Sequence, residues 1–521
     1  MRDRPLSERT GRAASLVAAG ILLSRIAGVI REVFFARFFG TSISADAFSA
    51  AFRIPNLLQN LLGEGVLSAS FIPEYAGLRA QGREGEAARL AVAVGALLAA
   101  TSAVVVLLGV LLAPQLVGLI AGGFGAEARA LTVTLVRILF PGAALLVFSA
   151  WCLAILNSHG RFFLAYVAPV LWNAAMITTL AWFGPSSTQP GLAELLAWGS
   201  VVGSTLQFVV QLPWVVGYLR AGGWRGTPAA DALRRVVRNF IPVVVGRGAV
   251  QISAYIDTRI ASSVAAGALA AVVYAQMLYL LPVSLFGMAV SAAELPAMSR
   301  VTGALDEIRA GIRERLIVGL RRIAFFVVPS AVALIVLGDV IAGALFERGE
   351  FTAEDTIWVW QILAGAGVGL LAATLARLYA SAFYALRDTR TPLKFAVVRI
   401  ALGATLGYAL AVPVPRALGL DPRLGAAGLM LGGAVAAWLE LALLRRAIAA
   451  RIGAADVDLR HIGRLFLLAG AAAVAGSIVK LLLTGAHPIA LAAAVLPVYG
   501  AIYLGGAYAL GIREARALLS R

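Results

Sequence analysis

Residues 24–48 read SRIAGVIREVFFARFFGTSISADAF. The stretch has the apolar background of a bilayer crossing, yet it carries Arg25, Arg31, Glu32, Arg37 and Asp46. A charge at mid-membrane costs about 2.5–3.5 kcal/mol on insertion scales, so such a residue must face a cavity or a partner. Whether these residues cross lipid decides the fold.

The rest of the chain places them in a membrane. Of 521 residues, 60% are hydrophobic and 14% charged, with a mean hydropathy of +0.88. A soluble domain is about half apolar and about a quarter charged. Apolar runs recur every 30 to 45 residues or so, long enough for helices of about 20 residues that span the hydrocarbon core. A membrane barrel would instead show short alternating segments. The sequence predicts an all-α polytopic membrane protein with 14 crossings. They fall at 13–39, 45–75, 90–113, 130–156, 163–184, 192–218, 239–264, 269–298, 318–346, 356–386, 392–413, 425–445, 464–485 and 488–511.

The basic residues orient these crossings. With the N-terminus inside, the tails and inner connectors hold 30 Arg and Lys, and the outer connectors hold only Arg348, Arg416 and Arg423. Both termini are therefore expected in the cytoplasm. The net charge of +17 is thereby assigned to the inner membrane surface, and no nucleic-acid partner is expected. The start, MRDRPLSERTGR, reads as a cytoplasmic tail and not as a signal peptide. Cys152 is the single cysteine, and His159, His461 and His487 are scattered, so no disulfide, metal site or cofactor is expected. HExxH, GxSxG and P-loop patterns are absent from the sequence, and the connectors are too short for a catalytic domain. A transporter is expected, not an enzyme.

A weak internal repeat divides the crossings. GEGVLSASFIPEY (63–75) resembles FGMAVSAAELPAM (286–298), and ILNSHGRFFLAYVAP (155–169) resembles ALRDTRTPLKFAVVR (385–399). Two halves of six crossings each keep the same orientation, the parallel-repeat plan of transporters with a substrate site between lobes. The expected division is an N-lobe at 1–222, a C-lobe at 223–448 and two appended crossings with a tail at 449–521.

The charges within crossings then become candidate site residues. Arg25 lies about 18 Å into its helix at 1.5 Å per residue, too deep to reach the edge easily. Arg25 and Glu32 share a face and Arg31 points about 120° away, which suits a helix beside a wide aqueous cavity. Gly28 offers a bending point. In the second crossing, Asp46, Arg53 and Asn60 form one stripe at a spacing of seven, with Glu64 a turn further on. Pro55 and the GEG at 63–65 are expected to interrupt that helix. Guanidinium groups suit phosphate through bidentate hydrogen bonds, so this face fits an anionic group. The alternative is internal pairing, Arg53 with Asp46 and Arg31 with Glu32. In the second half, Arg247, Asp257, Arg259, Glu294, Arg377 and Arg399 read equally as structural pairs or substrate contacts, with Asp257 able to neutralise Arg399 or Arg259. The run IRAGIRERLIVGLRR (308–322) reads as an amphipathic segment on anionic headgroups.

At these residues the chain resembles the MviN/MurJ family. SRIAGVIRE, FGTSISADAF and FRIPNLLQNLLGEGVLSASFIPEY carry the likeness, joined by FERGEFTAEDT (346–356) and FYALRDTRTPLK (383–394). The resemblance implies a two-lobed fold like that of MATE exporters with two extra C-terminal helices. It implies flipping of lipid II, the undecaprenyl-diphosphate-linked peptidoglycan precursor, across the bacterial cytoplasmic membrane. Arg25, Arg31 and Glu32 match the family's first-crossing charges, Asp46, Arg53 and Glu64 its polar positions in the second. Asp257 matches an acid that helps bind sodium in some members. The chain departs from the family pattern at Gln59 and Asn60, where basic residues are common, and at Met277, usually arginine. Its eleventh crossing, LKFAVVRIALGATLGYAL, lacks the Asn and Asp of sodium-binding members and carries Arg399. The resemblance thus leaves a sodium site incomplete, with Arg259 expected to supply the missing second-lobe charge and Arg399 to take the cation's place beside Asp257.

The expected function is alternating access of a cationic cavity to the diphosphate headgroup, with the polyprenyl tail kept in lipid along crossings 13 and 14. The partners are lipid II, or a similar polyprenyl-diphosphate glycolipid, and membrane lipids. The chain is expected to be a monomer associated with the cell-wall synthesis machinery. Membrane potential is a candidate energy source, worth about 2.3 kcal/mol per charge per 100 mV. The rivals are a flippase for another lipid-linked glycan of O-antigen or teichoic type, and a MATE-like exporter of organic cations. The second requires an acidic cavity, whereas the balance here is basic.

Overall fold

The computed structural model describes residues 6–227 and 230–519, with side chains from residue 19 onward except at 245, 246, 249, 250, 305 and 519. The tail expected at 1–12 therefore lies outside the described side chains. Among the described residues the chain is helical throughout, apart from an isolated bridge between Arg348 and Phe351.

The first half runs α1 (Leu6–Phe39), α2 (Ile43–Leu62), α3 (Glu64–Ser70), α4 (Ile72–Ala80), α5 (Glu84–Leu111), α6 (Ala113–Ile120), α7 (Ala126–Ser158), α8 (Phe162–Phe183) and α9 (Gln189–Ala221). The same order then recurs. It runs α10 (Ala230–Ala261), α11 (Ala268–Pro282), a π-helical segment (Val283–Met288), α12 (Ala289–Ser299), α13 (Leu305–Val336), α14 (Gly338–Phe346), α15 (Ala353–Ala385), α16 (Arg390–Ala411), the short α17 (Pro413–Ala417) and α18 (Leu424–Ile452). After the repeat come α19 (Leu459–Leu482), α20 (Pro488–Ala509) and α21 (Arg513–Leu519). The repeated motif GEGVLSASFIPEY and its counterpart fall where each half breaks its second crossing. The first half breaks at Gly63 and Phe71, and the second does so through the π-helical segment. Gly28 does not interrupt α1, whose helix is continuous through it.

Eleven helices are long and apolar enough to cross a membrane among the described residues. The other three expected crossings fall on α1, α2–α4 and α10, the segments that carry most of the candidate charges.

Contacts divide the chain into two units, meeting at Arg259 and Ile260. In the first, α7 is the most buried crossing. Trp151 Nε1 donates to the Ala91 carbonyl at 3.1 Å, and Gln207 and Gln211 Nε2 donate to Ser149 Oγ at 2.9 and 2.7 Å. These bonds satisfy polar groups that lipid-like surroundings would leave costly. In the second unit α15 holds the same central place. There α16 and α18 approach so closely that a Cβ on Gly432 would lie 2.4 Å from the Gly407 nitrogen, which is why both positions are glycine.

Two of the motifs that carry the resemblance serve this scaffold. In FERGEFTAEDT, Thr352 and Asp355 form a reciprocal capping box at the start of α15. In FYALRDTRTPLK, Asp388 accepts from the Arg390 and Thr391 backbone at 2.9 and 3.0 Å and pairs with Arg451 at 2.6 Å. Hydrogen bonds from Thr391, then Arg451, hold its carboxyl down to about 2.

The last helices are fastened to α13. Pro329 lacks an N–H, so the Phe325 carbonyl one turn earlier has no helical donor. Tyr503 donates to that carbonyl at 2.6 Å, and Tyr499, one turn away on α20, donates to the Pro329 carbonyl at 2.7 Å. Lys480 on α19 pairs with Asp339 on α14.

Candidate functional site

The charges on α1 and α2 are arranged around aromatic rings. The Arg31 guanidinium lies 4.8 Å from the Trp172 ring centroid on α8 and pairs with its neighbour Glu32, the internal pair allowed by the sequence. A cation over an aromatic face is attracted by the ring quadrupole. Trp172 stacks in turn on Phe52 of α2, with centroids 5.7 Å apart, and donates to Ser200 Oγ at 3.1 Å. Arg31 thus has a fixed platform and keeps further N–H groups for another acceptor. Arg25 lies two turns earlier and is exposed.

α2 starts at Ser42, whose Oγ accepts from the Ala45 nitrogen at 3.2 Å. Asp46 sits in the first turn, 2% exposed, where a carboxylate suits the helix dipole. Two turns on, Arg53 reaches α10. Its Nη1 donates to Thr258 Oγ1 at 2.7 Å and to the Ala254 carbonyl at 3.3 Å, while the Tyr255 hydroxyl donates to the Arg53 carbonyl at 3.3 Å. Thr258 is fully buried, so its bond to Arg53 is shielded from water. Asp257 lies beside this bond and acts electrostatically on Arg53. Asn60 is half-buried in the last turn of α2, and Glu64 is exposed where α3 begins. Gln59 lines a small slot with Asn56, Gly142 and Ser204, facing α7 and α9.

α10 heads the second repeat in sequence, yet it belongs with the first unit as far as Arg259. Arg235 Nε bridges both carboxylate oxygens of Glu74 on α4 at 3.0 Å. Arg247 lies so close to the GEG break that a Cβ on Gly65 would sit 1.6 Å from its Nη2. A Cβ on Gly122, after α6, would likewise sit 2.9 Å from the Arg259 Cζ. Arg259, expected to serve the second lobe, is therefore packed within the first unit. Glycine at 65 and 122 provides the space for these two guanidinium groups.

In the second unit, Arg399 on α16 pairs with Glu440 on α18 at 3.0 Å. The sequence reading offered Asp257 as a partner for Arg399 or Arg259. The carboxylate that Arg399 pairs with is Glu440, because α16 packs along α18. Arg377 on α15 also acts on Glu440, so one acid there serves two cations. Glu294 on α12 meets Arg315 of α13 at 3.9 Å. Among the described residues no group of three or more His, Cys, Asp or Glu side chains is placed to hold a metal ion.

Sequence reasoning missed Thr258, Tyr255 and Trp172, since uncharged residues in apolar runs give no signal against a search for charge. It also missed Glu440. That residue had a readable signal, being a lone acid in AAWLELALL.

Two repeated helical halves, each opened by a charged helix, define a membrane transporter of the MATE-like class. The fold agrees with solved structures. One described as a MATE family multidrug transporter of the MOP superfamily, inward-facing, matches at TM-score 0.65 and 18% identity, covering 84% of this chain and 98% of that one. A structure described as lipid II flippase MurJ in an inward closed conformation matches at TM-score 0.77 and 21% identity, over 97% and 99% of the two chains. The family model described as lipid II flippase MurJ matches residues 35–498. The chain is 32% identical over 520 residues to the lipid II flippase MurJ of Burkholderia cenocepacia, covering 97% of this chain and 98% of that protein. It is 35% identical over 440 residues to a probable lipid II flippase MurJ of Rhizobium meliloti, covering 82% and 78%. The chain belongs to the MurJ family of lipid II flippases.

Proposed function

We propose that this protein flips lipid II from the inner to the outer leaflet of the bacterial cytoplasmic membrane. The observation that carries the reading is family membership, which the family model shows across residues 35–498, including α2 and α10, and which the Burkholderia cenocepacia relative extends to 97% of the chain. Arg25, Arg31 and Arg53 receive the diphosphate, with Arg259 supplying further positive charge. Glu32, Asp46, Asn60 and Glu64 orient those cations and meet the sugar and peptide. Asp257 tunes Arg53, and Arg399, Arg377 and Glu440 form a separate charge cluster that responds to the change of access. The diphosphate is a dianion at least, and a preoriented guanidinium set offsets its loss of water.

The repeat gives the working division, with lobes at 1–222 and 223–448 and an appendage at 449–521. Both termini face the cytoplasm, where the basic connectors lie. The protein acts as a monomer alongside the cell-wall machinery, and membrane potential supplies the energy, about 2.3 kcal/mol per charge per 100 mV.

The test is replacement of the native lipid II flippase in a conditional bacterial strain, scoring growth and lipid II at the outer leaflet for wild type and Arg25→Ala. Rescue by the wild type alone supports the reading. An expressed, membrane-inserted wild type without rescue refutes lipid II as the substrate and favours another lipid-linked glycan.

A further inference from the structure

The amphipathic run at 308–322 has a feature that flipping does not use. A cleft of about 440 Å³ opens between α13 and α21 in the second unit. Val318, Arg321, Arg322 and Phe326 of α13 and Arg513 and Leu518 of α21 line it, so charged and apolar side chains stand on both helices. Glu514 is the one acid in the lining.

Two other arginines of α13 are matched to carboxylates. Arg309 pairs with Asp306 at 3.3 Å and Arg315 with Glu294 at 3.9 Å. Among the described residues, Arg321, Arg322 and Arg513 have no carboxylate within ion-pair distance. Glu514 and Arg321 both act on His461 of α19, whose buried Nε2 has no hydrogen-bond partner among the described residues. Three guanidinium groups with free donors and one acid make a cationic pocket with unused hydrogen-bonding capacity.

The apolar part of the lining selects the ligand. Val318 and Leu518 are 47% and 46% exposed, so the cleft carries open apolar surface beside its charges. A free phosphate ion would leave that surface bare. A lipid with a phosphate at one end and methylenes at the other covers both the charged and the apolar lining.

We infer that the α13–α21 cleft is a binding site for an anionic glycerophospholipid, its phosphodiester held by Arg321, Arg322 and Arg513 and its acyl chains lying on Val318, Phe326 and Leu518. The bound lipid ties the C-terminal helix to α13. It shares no lining residue with the charges on α1, α2 and α10, and it depends on neither lipid II nor the direction of flipping.

The test uses the full chain in detergent. Phosphatidylglycerol, phosphatidylcholine and inorganic phosphate are titrated separately, and bound molecules are counted by native mass spectrometry. The variant Arg321→Gln/Arg322→Gln/Arg513→Gln is compared with Arg83→Gln/Arg220→Gln/Arg225→Gln, which removes the same charge elsewhere. The expected result is one saturable phosphatidylglycerol site in wild type and control, weakened roughly a hundredfold in the cleft variant, with phosphatidylcholine not retained. Leu518→Glu, a change at an exposed position, is expected to weaken phosphatidylglycerol at least tenfold without affecting inorganic phosphate. Equal phosphatidylglycerol binding by the cleft variant and control overturns the site. Displacement of phosphatidylglycerol by millimolar inorganic phosphate, with Leu518→Glu silent, overturns the lipid and leaves a simple anion site.

Discussion

Replacing Thr258 by valine removes one hydroxyl from α10 and little else. The residue is fully buried and valine fills nearly the same volume. The helix is kept, since Thr258 Oγ1 only adds a second bond, at 2.8 Å, to an Ala254 carbonyl within the helix. What is lost is the 2.7 Å acceptor for Arg53, while the Ala254 carbonyl at 3.3 Å and the charge of Asp257 on α10 stay in place. A hydrogen bond to a charged group is worth about 1.5–3 kcal/mol. At about 1.4 kcal/mol per tenfold, the flipping rate should fall between tenfold and a hundredfold if Arg53 must be aimed to work. The assay is the initial rate of lipid II exposure at the outer leaflet, normalised to protein level, in cells depleted of their own flippase. Melting in detergent should move by only a few degrees. Thr258→Val added to Arg53→Ala should cost nothing further, because the hydroxyl acts through the guanidinium. A Thr258→Val rate within twofold of wild type, or a double variant whose losses simply multiply, would refute the proposed aiming of Arg53.

Gly65→Ala should displace the Arg247 guanidinium, since its Cβ would fall 1.6 Å from Nη2, and should match Arg247→Ala in transport while folding normally. Arg259→Ala should abolish rescue as fully as Arg25→Ala; rescue by it would remove Arg259 from the site. Lys480→Met should lower stability in detergent by about 3 kcal/mol because it strands Asp339, and Lys480→Met/Asp339→Leu should recover most of that loss. His159 stacks on Tyr218 at 3.8 Å and is hydrogen-bonded to the Tyr75 hydroxyl at 3.0 Å, and burial followed by the Arg79 charge pushes its imidazole down to about 4. The unfolded chain takes up that proton near pH 6.5, so the cluster's stabilisation is complete above about 6.5 and fades as pH falls toward 4. Melting curves should therefore lose less between pH 7 and 5 in His159→Asn than in wild type, and equal losses would count against it.

Much of the fold was legible because long apolar runs and the placement of arginine follow directly from the cost of burying charge in lipid. The break at GEG was readable from glycine and proline chemistry, and its counterpart in FGMAVSAAELPAM became the π-helical segment. The site was readable only where it is charged. Arg31 and Arg53 stood out, but the partners that hold them, Trp172 and Thr258, are ordinary residues in apolar helices. Their roles depend on which helices meet, and sequence spacing does not report that. The same limit explains Arg399, whose partner Glu440 lies 41 positions further along the chain. The placing of α10 with the first unit was likewise hidden, since the repeat assigns it by order and its contacts assign it by Arg235, Arg247 and Thr258.

Tyr499 and Tyr503 of α20 give the last helices a mechanical role. A proline kink in an isolated helix is a soft joint, free to flex because one carbonyl has lost its donor. Here Tyr503 takes up that carbonyl and Tyr499 grips the next turn, so α20 works as a splint along α13. Bending α13 at Pro329 must break or drag these bonds, and the stiffness of that joint is set from outside the six-helix repeat. Trimming the chain before α20 would remove no candidate substrate residue, yet it would convert a braced strut into a loose hinge.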